Sequence, residues 1–184
     1  MSITSDRMPA KIVYAHYGNN YNEFIDAVYD VFDNDFIKQK TSFGSHVLKL
    51  KFQPILNERA YTFYHMTHKG PDEQNRTPDI KRSEFMSWAK PTSERTSLYN
   101  LKFWEQERKG NKRICIWVEV DDDYDYFVVL DIRKTFLLLW TAFIGEYKHE
   151  INKKKKEYNN WCQSVGFKIF TPDELVNDIQ AKLP

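Results

Sequence analysis

Apolar residues first recur with helical spacing between positions 21 and 36. Tyr21, Phe24, Ile25, Val28, Tyr29, Phe32 and Phe36 mark the stripe that one face of a helix buries. Asn20 stands at the cap position, with Glu23 three residues on as a reciprocal partner. The other side is acidic (Glu23, Asp26, Asp30, Asp33), so this helix is expected to lie on one face of a sheet. Residues 1–17 read as a loose arm with a short extended piece from Ile12 to His16. After a basic loop the period falls to two. Leu48, Leu50 and Phe52 alternate with Lys49 and Lys51, which predicts a strand that Pro54 ends. The aromatic run Tyr61 to Met66 predicts a second strand, so residues 47–66 read as a hairpin turning at Asn57-Glu58-Arg59.

Residues 69–112 carry Lys69-Gly70-Pro71, Thr77-Pro78 and Lys90-Pro91 and hold no sustained period. Such a stretch inside a domain predicts a functional loop, kept in order here by Phe85, Met86, Trp88, Leu98, Phe103 and Trp104. Arg113 to Val120 alternates cleanly, whereas Tyr124 to Leu130 and Thr135 to Phe143 are apolar on both faces, as central strands are. With Asp131 to Lys134 as a tight turn, these three form an antiparallel meander. A second amphipathic helix is predicted over Glu146 to Val165. Its inward side is Tyr147, Ile151, Tyr158, Trp161, Cys162 and Val165, and its outer side carries Lys153 to Lys156. Phe167 to Phe170 reads as a short edge strand. Thr171 and Pro172 start a last helix running to Lys182. The expected fold class is α+β: an N-terminal helix, an antiparallel sheet of about five strands containing the meander, and C-terminal helices, all in one domain from residue 18 to 184.

Composition narrows this further. The 184 residues are 41% hydrophobic and 16% aromatic, too apolar for a disordered chain. The net charge of +1 hides an uneven distribution: Lys81 to Arg113 holds nine basic and four acidic residues. Cys115 and Cys162 are the only cysteines, too few for a disulfide framework. The first residues lack the apolar core of a signal peptide, and the longest apolar run, Thr135 to Ile144, is shorter than the ~20 residues of a membrane span. The expectation is a cytoplasmic protein without membrane contact.

Candidate chemistry gathers in YTFYHMTHKG, residues 61–70. On a strand, His65 and His68 point to opposite sides, and His65 shares a face with Tyr61 and Phe63. His65 is then either a core-edge histidine bonded to backbone or a general acid/base, imidazole being the side chain that titrates nearest neutrality. A third ligand at metal spacing is missing, as are HExxH and CxxC motifs and any glycine-rich loop before a helix, so neither a metal nor a cofactor is expected. In the basic segment Lys81, Arg82, Arg95, Arg108, Lys112 and Arg113 are suited to phosphates, and Trp88, Tyr99 and Trp104 to bases.

The segments FYHMTHKG, RTPDIKRSEFMSW, RICIWVEV and YFVVLDIRKTFLLLWTAF, in this order between a leading and a trailing helix, resemble phage-associated members of the barnase, EndoU, colicin and RelE-like nuclease superfamily. The resemblance spans residues 18–162. It implies metal-independent RNA cleavage by general acid/base catalysis, in a toxin or phage-defence setting, with RNA and a cognate antitoxin or immunity protein as partners. On these segments His65 is the candidate acid or base, Arg82 and Arg133 hold phosphate, Glu84 orients or shares the proton, and Thr141 bonds the phosphate. His68, Lys69, Trp88 and Arg95 are candidate substrate contacts. Two rivals stay open: an RNA-binding or interaction module that kept the fold without the chemistry, and a partner-binding protein of immunity type.

Overall fold

The computed structural model describes residues 2–184. The first helix, α1, spans Tyr21–Phe32, as its stripe predicts. The Asn20 carboxamide oxygen accepts from the amides of Asn22 and Glu23, and its Nδ2 donates to Glu23 Oε1 at 2.9 Å. A π-helical turn over Asp33–Lys38 continues the apolar face to Phe36. Phe24, Val28 and Phe32 are fully buried.

A six-stranded sheet follows: β1 (Ser42–Phe43), β2 (His46–Lys49), β5 (Lys102–Arg108), β6 (Asn111–Val120), β7 (Tyr124–Ile132) and β8 (Leu137–Ile144), in the order β1-β2-β8-β7-β6-β5. The predicted meander forms and gains β5, so four consecutive strands are antiparallel. β2 joins β8 in parallel, which makes the sheet mixed. Between β2 and β5 lie α2 (Tyr61–Thr67), a two-stranded ribbon of β3 (His68–Lys69) and β4 (Thr77–Pro78), and two short helices, α3 (Ile80–Glu84) and α4 (Ala89–Glu94). The segment expected to be irregular is therefore largely ordered. The chain closes with α5 (Lys148–Ser164) and α6 (Pro172–Lys182).

The predicted hairpin over residues 47–66 does not form. Tyr61–Thr67 is a helix, although its aromatic composition favours a strand; tertiary packing overrides that weak preference. Residues 51 and 52 receive its first amides: Thr62 N donates to the Lys51 carbonyl at 3.0 Å and Tyr61 N to that of Phe52 at 3.2 Å. Phe63 and Met66, three apart, then enter the core, where Phe63 meets Tyr29 and Phe32 edge-on. Residues 167–170 form no strand, and Phe167 and Ile169 are exposed. The piece expected to be extended near Ile12 becomes a 3-10 turn at Tyr14–Tyr17. Residues 2–17 are packed rather than loose, with Ile3 and Met8 buried and Ile3 bridged to Val120.

The sheet buries both faces. Ile114, Ile116, Val118, Val128, Leu130, Leu137 and Leu139 share one core with α1 and α6. Trp104, Cys115, Trp117, Phe127 and Val129 face the other way, toward Tyr158 and Trp161 of α5. α5 seals this face incompletely: none of its residues is fully buried, and Tyr147, expected inward, is exposed. The α6 start is a capping box, Thr171 Oγ1 accepting from Glu174 N and Thr171 N donating to Glu174 Oε2 at 2.8 Å. The register slips between β7 and β8: Val129 opposes Thr141 and Leu130 opposes Leu139, so Trp140 has no partner.

Phe63→Ala is expected to cost about 3–5 kcal/mol in urea unfolding, the range for truncating a well-packed phenylalanine. Thr171→Ala should cost about 1 kcal/mol, as loss of a helix cap does.

Candidate functional site

Helical spacing, not strand alternation, decides where His65 points. Four residues from Tyr61, it lies on the same side of α2, with ring centroids 6.0 Å apart. Phe63 turns to the core instead. The bulge turns Trp140 toward α2, and its indole meets the His65 imidazole at 4.9 Å. Arg113 of β6 lies over the same indole at 4.6 Å. Arg82 of α3 donates from Nη1 to the carbonyls of His68 (3.2 Å) and His65 (3.5 Å), and its guanidinium stands over Phe143. Thr141 follows Trp140 on β8.

Two carboxylates serve these cations, each shared. Asp79, which caps α3 by accepting from Arg82 N, has Lys69 at 3.6 Å and Arg82 Nε at 3.7 Å. Asp131, 1% exposed, has Arg133 at 2.6 Å and Arg113 at 3.7 Å. Arg76, before β4, makes no salt bridge among the described residues. Positive charge is thus in excess around His65. Burial above all, and then Arg76, Arg82 and Arg113, hold its pKa down at about 3 against one opposing backbone carbonyl, that of Trp140. The imidazole is neutral at physiological pH.

Several polar atoms here are buried with no hydrogen-bond partner among the described residues: His65 Nδ1, Thr141 Oγ1, and Nε of Arg76, Arg82 and Arg113. Such atoms are rare in folded proteins, since each costs about 1–3 kcal/mol of lost hydration. Three of the five are guanidinium donors, one is a hydroxyl and one an acceptor on a neutral imidazole; Asp131 Oδ1, 3.7 Å from Arg113 Nε, is likewise buried without a hydrogen bond. Beside this cluster, sharing Arg82 and Lys69, runs a groove of about 520 Å³ floored by Phe127 and Phe143 and walled by the start of α5.

The structure brings together His65 and Arg82, with Lys69 attached through Asp79 and Arg133 through Asp131; Thr141 adjoins them only as the chain neighbour of Trp140, opposite Val129. His68 is one step away: it stacks on Tyr64 at 4.3 Å, with Nδ1 3.0 Å from Thr67 Oγ1. Three candidates belong elsewhere. Glu84 Oε1 accepts from the amide of Tyr14 and the Glu84 carbonyl accepts from that of Ile12, so it fastens the N-terminal segment rather than sharing a proton. Trp88 is 4% exposed and donates to the Pro9 carbonyl, a core anchor closed to bases. Arg95 bonds the Tyr99 hydroxyl, which in turn donates to the Arg7 carbonyl. Sequence reading missed Arg76, Asp79, Asp131 and Trp140. The first two sit in the quoted 76–88 segment, but nothing in a periodicity marks a bulge.

No family model matches the chain, and no curated protein or solved structure does. Among the described residues no helix is long and apolar enough to cross a membrane, and no three His, Cys, Asp or Glu side chains converge as a metal site requires.

His65 should show no titration between pH 5 and 8 in imidazole NMR spectra. Its folded pKa lies below its unfolded value of 6.5, so its contribution to stability is complete above that value and is lost as pH falls toward about 3. His65→Phe should flatten the decline of urea midpoints over this window; an unchanged decline would refute the burial of a neutral imidazole.

Proposed function

We propose that this chain is a metal-independent ribonuclease of the toxin or phage-defence kind, acting at the His65 cluster. One observation carries the reading: the unpartnered His65 Nδ1 lies among three arginines, Arg76, Arg82 and Arg113, that are incompletely neutralised. A phosphodiester supplies the charge this cluster lacks. The guanidiniums of Arg76, Arg82 and Arg113 would hold its non-bridging oxygens. The adjacent 2′-hydroxyl attacks phosphorus as its proton passes to His65. The bond to the 5′-oxygen breaks, and that oxygen takes a proton from water. The anion also offsets the three arginines and lifts the His65 pKa toward the useful range. A toxin acting this way implies a cognate antitoxin or immunity protein.

Burial favours a second reading. His65 is 7% exposed with its pKa near 3, which suits an RNA-binding module on this fold better than a working base. Incubation with RNA in EDTA separates the two. The ribonuclease reading predicts cleavage that falls about 10²–10⁴-fold in His65→Ala while RNA binding persists. Salt-sensitive binding with no cleavage, equal in His65→Ala, would transfer the conclusion to the binding module. No binding at low salt would sink both.

A further inference from the structure

The groove beside the arginine cluster is lined by more than one kind of chemistry. Lys69 and Arg82 supply cations, the second of which also touches the His65 and His68 carbonyls. The floor is no stacking surface. The Phe143 ring is already engaged twice, stacked on Phe127 at 5.3 Å and lying under the Arg82 guanidinium at 5.7 Å. The exposed aromatic surface of the groove is the pair Tyr147 and His149, which lie nearly parallel, 22° apart with centroids at 5.7 Å. No core packing requires this pair: Tyr147 is 58% exposed and reaches solvent from the position just before α5.

Carboxylates line the groove as well. Glu146 pairs with Lys81 at 3.6 Å and acts on Arg82, and Glu150 stands in the first turn of α5. Carboxylates repel a phosphate but accept hydrogen bonds from the N–H edges of bases. Asp79 is already shared by Lys69 and Arg82. Lys153 and Lys154 line the α5 wall, and Lys154 is held by Gln106 and Glu157. The volume of about 520 Å³ falls in the range of small-molecule sites.

Resting on the ribonuclease reading, we propose that the groove is a nucleotide subsite and that the RNA taken is single-stranded. The phosphate enters at Arg82 and Lys69, the base stacks on the Tyr147–His149 platform, and Glu146 and Glu150 face its donor edge. A paired base is stacked between its neighbours and cannot reach a platform set beside the backbone track.

Fluorescence anisotropy at low salt tests this with a labelled 2′-O-methyl RNA strand, which cannot be cleaved through its 2′-oxygen, alone and annealed to its complement. Wild type is expected to prefer the single strand. The double variant Tyr147→Ala, His149→Ala, altered only at exposed positions, should lose about 5- to 150-fold in single-strand affinity, the range for one lost base–aromatic stack, with little change on duplex. If the double variant matches wild type while Arg113→Gln weakens binding, the subsite is overturned and the phosphate cluster stands. If wild type binds neither RNA, the ribonuclease reading fails and takes the subsite with it.

Discussion

The bulge between β7 and β8 is the constraint on which the site depends. Without it, strict alternation would send residues 139 and 141 to one face and 140 to the other. Instead Leu139 lies in the core with α1 and α6, Thr141 opposes Val129 on the far face, and Trp140 is released between them. The freed indole bridges two elements that share no hydrogen-bonded register, contacting His65 of α2 on one side and Arg113 of β6 on the other. An extra residue in one strand converts a flat apolar wall into a ledge that an imidazole and a guanidinium both occupy.

That ledge is electrostatically costly. Burial lowers the pKa of Arg82 and Arg113 as well as that of His65, because each charged form loses hydration. Asp79 and Asp131 offset part of the cost, and each does so for two cations at once. The pairing of Arg113 with Asp131 is loose, 3.7 Å between atoms that make no hydrogen bond. A fold selected for stability alone would close that distance or replace the pair with apolar side chains, which is often neutral or better. A set of donors held apart from their carboxylates is instead what binding of an external anion requires, since the donors are already oriented and need not be released first.

Elements with a sustained period were legible in the sequence. The α1 stripe, the cap at Asn20, the helix start at Thr171 and Pro172 and the three central strands all appear where spacing placed them. The failure at residues 61–67 has a specific cause. A seven-residue stretch of aromatic and β-branched residues is too short for its period to distinguish helix from strand, and what decides it is remote: the carbonyls of Lys51 and Phe52 that receive its first amides. The error moved Phe63 off the His65 face yet kept Tyr61 on it, because positions four apart coincide on a helix and also on a strand. Tyr61 and His65 therefore still share a face, on a helix rather than a strand. Trp88 and Arg95 failed differently: the basic and aromatic content of residues 81–113 is real, but folding turns Trp88 inward and spends Arg95 on Tyr99.

Arg82 joins the cluster to the groove, and its position explains why both exist. Its amide is fixed by the Asp79 cap, Nη1 by two backbone carbonyls of the α2 terminus, and its plane by Phe143. A side chain held at Nη1 and over Phe143, on a backbone fixed by the Asp79 cap, is poorly placed to swing after a ligand, so any anion that uses it must come to it. The anion's reach is bounded on one side by Trp140 and on the other by the carboxylates of the α5 start. An unbranched chain with one phosphate at Arg82 then has two ways out, toward His65 or toward Tyr147. A ligand that went both ways from Arg82 would need a charge there and planar groups on either side, which a nucleotide chain has and a free phosphate lacks.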